Sequence, residues 1–297
     1  MEYAKSLRCA LRPQTLFASA SPVLIVVSLL HQSHSVSFLQ LDALALLACA
    51  LLSQSIGNLS VVYPNFQRAL QPRKEEVPDT KIVLNLLTLT QIRCWSYLFY
   101  GLQLTFLGVT HVTCDKSVKV TAGMALLVTL CLLYCQRGDK PLPMVGLREV
   151  LLAWAIGPVA MGSTAIYLVN EVPWAVVLYT YIVMLFAWAF LLLESARNAP
   201  FVRRIGHSEA SLALRLGFQL TFQVFLLSIA LFYGCLLVTG IAMGHLGNVL
   251  LLVSIAKLKN ISEDFRLERL NYLPDQFAKL AAFLGFGLIV SILSSFT

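Results

Sequence analysis

The sequence predicts an all-α integral membrane protein in which residues 1–297 form one bundle of nine transmembrane helices. Three observations carry that prediction. The chain is 58% hydrophobic and only 12% charged, so a water-facing globule built from it would expose large apolar patches. Runs of about 20 apolar residues, long enough to cross a bilayer, follow one another with no stretch left over for a soluble domain. All of the 22 lysines and arginines except Lys116 and Lys119 lie in, or border, the connections that nine alternating crossings would put on one side. One helix more or fewer would scramble that bias, which by the positive-inside rule turns the N-terminus toward cytosol or matrix.

The first apolar run, near 15–31, follows Arg12-Pro13 and flows straight into the body of the chain, so no removable secretory signal is expected. The second, near 40–60, carries Gln54 and Asn58, four apart on one helix face. The third and fourth lie near 90–110 and 117–135; Cys131 and Cys135 share a face of the fourth and read as packing residues. In the fifth, near 148–169, Gly157-Pro158 should kink the helix, either as a packing adaptation or as the wall of a cavity. The sixth runs near 173–193, the seventh near 216–237, the eighth near 239–256 and the ninth near 277–296. Gln219 and Gln223 on the seventh, like Gln54 and Asn58, are expected to turn inward, bonding a neighbouring helix or lining a ligand cavity. Two long connections on the basic side, 64–89 and 194–215, are the natural functional loops.

Several chemistries are excluded. The seven cysteines form no CxxC pair and no metal-site spacing with histidine. The five histidines, at 31, 34, 111, 207 and 245, are dispersed. There is no phosphate-binding glycine loop and no Ser/His/Asp arrangement. A net charge of +7 reads as membrane orientation, and no aromatic-interleaved basic patch points to nucleic acid. The sequons at Asn58 and Asn260 fall at a span end and on the basic side, so neither should be glycosylated.

Several strings nevertheless resemble one family along the whole chain. The opening "RPQTLFASASPVL", the stretch "YCQRGDKPLPMVGLREVLLAWAIGPVAMG" and the C-terminal "LPDQFAKLAAFLGFGLIV" are similar to the UbiA superfamily of intramembrane prenyltransferases, specifically its menaquinone-type branch. That resemblance implies a UbiA-like helical bundle. It also implies two aspartate-rich motifs whose carboxylates hold magnesium ions on the diphosphate of an isoprenoid donor.

In "QSIGNLSVVYPNF" the family's first motif keeps Gln54, Asn58 and Tyr63 in register. Val61 and Val62 stand where Asn-Asp should be, and Asn65 where the second aspartate should be. In the second motif Glu194-Ser195 replace Asn-Asn, Arg197 is kept, Asn198 replaces the first aspartate and Val202 the second. Arg203, Gly206 and Ser211 to Gly217 continue the pattern. All four aspartates are gone, and valine offers a metal no oxygen. Glu194 is expected to pair with Arg197 or to lie on a solvated face, with single-ion binding as the other reading.

The resemblance with those losses implies a catalytically inactive relative, with no catalytic residue, no metal site and no cofactor, retained as a structural or lipid-binding subunit of a larger and conceivably respiratory membrane complex. The alternatives are an active quinone-pathway prenyltransferase with a rebuilt magnesium site, and a lipid or quinone carrier acting alone. Arg68, Arg73, Lys74, Arg197, Arg203 and Arg204 would repel one another unless anions sit among them, which suits an anionic lipid headgroup or a quinone-like lipid. Resting in headgroups under the positive-inside rule is their other reading. By analogy the host is the mitochondrial inner membrane, with an endomembrane or bacterial plasma membrane as alternatives.

Overall fold

The structure, a computed structural model, describes residues 7, 10–11, 13–69, 88–136, 147–204 and 212–295. Among these residues every regular element is helical. In chain order they are α1 Pro13–His34, α2 Leu41–Ala69, α3 Leu89–Thr113, α4 Val118–Gln136, α5 Leu147–Trp154, a π-helical turn Ala155–Val159, and α6 Ala160–Val169. Then follow α7 Trp174–Arg204, α8 Leu212–Leu216, α9 Phe218–Ala242, α10 Gly247–Leu250, a 3₁₀ turn Leu251–Ser254, α11 Ile255–Arg266 and α12 Leu273–Ser294.

Six stretches are long and apolar enough to cross a membrane: Thr15–His34, Leu41–Leu59, Glu149–Val169, Trp174–Pro200, Phe218–Ala242 and Leu273–Ser294. The chain is therefore an integral membrane protein. Three of the nine expected spans do not meet that standard. The third carries Gln91, Arg93, Ser96 and Gln103 along its helix, and the fourth has only the shorter apolar stretch Val118–Leu133. The eighth is displaced: the run expected near 239–256 is cut by a turn after Ala242, where Gly244 takes a φ of 71°, and the next helical stretch begins at Gly247 and ends among Lys257, Lys259, Glu263, Asp264 and Arg266.

The chain divides into two compact units, residues 1–20 with 39–140, and residues 21–38 with 141–297. In the first unit α2 packs along α3. Ala10, Leu59 and Ile92 form a buried cluster with Leu11, Trp95 and Phe99 against it. Gln103 donates from Nε2 to the Cys49 carbonyl at 2.8 Å and to Ser53 Oγ at 2.6 Å, so its amide nitrogen finds partners on the helix opposite, while its buried Oε1 has none among the described residues. Thr88 caps α3 in a reciprocal box with Gln91, satisfying two otherwise orphaned amides.

The second unit is held by α7 against α9, and by rings contributed from four helices. Phe186 stacks on Phe277 with centroids 4.5 Å apart, and Phe225 meets both Phe265 and Phe277. Gly157 decides how the proline-bearing helix sits. A Cβ there would lie 2.8 Å from Met184 Cβ and 3.1 Å from the Thr180 carbonyl oxygen, so bare backbone lets the π-helical turn pack directly on α7. Pro158 thus accompanies close packing of the turn on α7 at Gly157.

Two further expectations change. Gln219 and Gln223 are exposed, not turned inward. Thr221 and Phe225 take the buried face of α9, and at about 100° per residue the amides two positions away point to the other side. The loops expected at 64–89 and 194–215 are also shorter than expected, because α2 continues to Ala69 and α7 to Arg204. The sequence from Glu194 onward contains one breaker, Pro200, which removes a single helical amide, while Ser195 and Ala196 are buried and anchor the extension.

Candidate functional site

The residues singled out in the first motif stand on α2. Asn58 is 6% exposed and fully engaged: its Nδ2 donates to the Leu11 carbonyl at 2.7 Å and to Thr15 Oγ1 at 3.0 Å, and its Oδ1 accepts from Gln54 Nε2 at 3.0 Å. Both partners lie in the N-terminal segment of the same unit. Asn58 therefore behaves as an inter-helix tie, and its amide is already occupied. Val61, Val62, Asn65 and Arg68 fall on the last turns of α2, and their side chains lie outside the described residues. Arg73 and Lys74 lie outside the described residues altogether.

The residues of the second motif stand on α7, in the other unit. Arg197 Nη2 lies 3.6 Å from Glu194 Oε1, one turn back on the same helix, so the acid at the head of this motif is spent on the arginine within it. Asn198, in the place of an aspartate, is exposed. Ser195, buried between them in sequence, accepts the Ala213 amide through Oγ at 3.3 Å and so ties α8 back to α7. Gly217, with a φ of 78°, then turns the chain from α8 into α9. The Ser-Leu-Ala-Leu-Arg-Leu-Gly string thus has a structural use independent of any ligand. Val202, Arg203 and Arg204 continue α7, with side chains outside the described residues.

Magnesium on a diphosphate needs several oxygens converging on each ion at about 2.0–2.1 Å. The donor set here does not fit. Two of the four aspartate positions are valine, two are asparagine, and Glu194 is turned to Arg197. Among the described residues no group of three or more His, Cys, Asp or Glu could hold a metal ion.

No protein-family model matches the sequence, and none of the characterised proteins matches it closely. The fold does find a counterpart. A solved structure from work on digeranylgeranylglyceryl phosphate synthase in membranes matches 99% of this chain and 100% of its own, with a TM-score of 0.56 at 13% identity. The chain shares that synthase's fold. At so low an identity the likeness is one of fold alone, and it agrees with the all-helical membrane architecture expected from the sequence.

A polar cluster in the second unit was not legible from sequence. Tyr179 on α7 pairs through Oη with His245 Nδ1 at 2.6 Å and accepts from Asn248 Nδ2 at 2.9 Å. Tyr179 and Asn248 are wholly buried and His245 is 3% exposed. The partners stand 66 and 69 residues apart, so no local pattern announces them. Glu149, near the start of α5, is likewise buried, and its Oε2 has no hydrogen-bond partner among the described residues.

Proposed function

We propose that this protein is a catalytically silent relative of the intramembrane prenyltransferases, crossing the membrane nine times and serving as a structural or lipid-holding subunit of a larger membrane complex. The observation that carries this reading is the Glu194–Arg197 pair within a motif that has lost its other acids. The acids that a metal-dependent transferase would aim at magnesium are missing from the motif positions, and Glu194, which stands in place of an asparagine, pairs with an arginine of its own helix. Loss of all four aspartates removes the means of neutralising a leaving diphosphate, and transition-state charge stabilisation of that kind is the main contribution such a site makes.

The arginines that remain give the reading its lipid. Arg68, Arg73 and Lys74 are the cations of the first motif region and Arg197, Arg203 and Arg204 those of the second, and an anionic or quinone-like lipid is the counter-charge this reading gives to such basic groups. The nine crossings are supported by the one-sided lysine and arginine distribution. The mitochondrial inner membrane, where large complexes gather extra subunits, is the host this reading takes by analogy.

The deciding experiment incubates the purified chain with geranyl to geranylgeranyl diphosphate and a dihydroxynaphthoate acceptor, with and without magnesium. No transfer is expected in either case, together with co-purification of fixed partner subunits or a stoichiometric lipid. Transfer abolished by EDTA would replace this reading with an active enzyme whose metal site has been rebuilt.

A further inference from the structure

The turn between α9 and α10 is secured from several sides. His245 in that turn meets Tyr179 of α7 through its ring, while its backbone oxygen accepts from Ser291 Oγ of α12 at 3.3 Å and from the Asn248 amide at 2.9 Å. Asn248 Nδ2 also reaches Thr239 Oγ1 of α9 at 3.5 Å. A Cβ on Gly247 would lie 2.7 Å from Ser291 Oγ, so the site is tightly filled. Tyr179 is the titratable side chain that touches His245; α9, α10 and α12 bring Thr239, Asn248 and Ser291, and no Asp, Glu, Lys or Arg among the described residues pairs with the imidazole.

The donors and acceptors can be counted. With a neutral imidazole whose Nδ1 accepts, Tyr179 donates its hydroxyl proton to Nδ1 and accepts from Asn248. Within the cluster Asn248 Oδ1 is then left over, buried and with no hydrogen-bond partner among the described residues, while the imidazole Nε2–H is present in both protonation states and does not enter the comparison. A spare carbonyl acceptor is the mildest kind of orphan. A second proton on the ring makes Nδ1 a donor. Tyr179 must then accept from His245, and its own proton has to find another acceptor. Either that proton is stranded, or the Asn248 carboxamide turns over to accept it and strands its NH₂ instead. Both outcomes leave a sealed donor unmet beside a buried positive charge.

We infer that the Tyr179–His245–Asn248 chain is an acid-sensitive latch, which holds the α9–α10 turn against α7 while His245 is neutral and releases it when the ring takes up a second proton. Burial holds the His245 pKa below its ordinary value, as a latch of this polarity requires. The sign follows. The folded chain binds fewer protons than the unfolded one around and below the ordinary histidine range, so the latch is fully effective above that range and weakens as pH falls.

The test is amide exchange of the full-length protein in detergent at pH 8 and pH 5.5, corrected for the intrinsic pH dependence of exchange. Residues 243–248 should exchange about tenfold faster in acid, while α4 stays unchanged. His245→Gln should abolish the difference, and Tyr179→Phe should exchange at pH 8 as the unaltered protein does in acid. Equal protection of the turn at both pH values, or an acid response that survives His245→Gln, overturns the latch.

Discussion

The Lys116 ammonium lies 2.7 Å from Asp42 Oδ2, with both side chains nearly sealed from solvent at 14% and 11% exposure. This pair joins the turn after α3 to the first turn of α2, within one unit. Each single change leaves one charge of a nearly sealed pair without its counter-charge from the other, so Asp42→Asn or Lys116→Met alone should destabilise by about 2–3 kcal/mol. The double variant Asp42→Asn/Lys116→Met should recover most of that loss, read as thermal unfolding in detergent. Additive losses would show that the two charges are uncoupled.

Gly157 makes a sharper prediction. Gly157→Ala places a methyl group where Met184 Cβ and the Thr180 carbonyl already stand, and should cost about 1–3 kcal/mol. Adding Met184→Ala should return little, because the added methyl also meets Met184 Cα at 3.1 Å and that backbone remains. Unfolding midpoints of the single and double variants measure both.

Asn58 separates a tie from a ligand. Asn58→Leu removes its bonds to the Leu11 carbonyl, the Thr15 hydroxyl and the Gln54 amide and should destabilise by about 1–3 kcal/mol. Asn58→Asp should be worse despite its similar shape, since a carboxylate cannot donate to the Leu11 carbonyl. If Asn58 were a metal ligand waiting for an ion, the aspartate variant would instead gain stability on adding magnesium.

Glu194 tests the lost metal site directly. Its pairing with Arg197 is long and part-exposed, so Glu194→Gln should shift stability by no more than about 0.5 kcal/mol. Millimolar magnesium should leave the unfolding temperature of the unaltered protein in place, whereas a bound ion would raise it by mass action.

How much of this was legible in the sequence depends on what each feature rests on. The helices were readable because apolar runs and one-sided cations are local quantities. The ends of α2 and α7 were not, because burial of Ser195 and Ala196 by tertiary packing carries α7 past its apolar run. Gln219 and Gln223 misled for a related reason: polarity marks a residue as unusual, but the buried face of α9 is chosen by the aromatic cluster around Phe265. The loss of aspartates was plain in the sequence, while the use made of Glu194, Ser195 and Asn58 needed coordinates. The latch joins residues more than sixty positions apart, and only the fold brings them together.

The length of α7 has a further consequence. Its 31 residues span about 46 Å at 1.5 Å each, against a hydrocarbon thickness of about 30 Å. The helix therefore exceeds that layer by about 16 Å, and a tilted course keeps its apolar stretch Trp174–Pro200 within the hydrocarbon while the last turn, ending at Arg204, reaches the headgroup level.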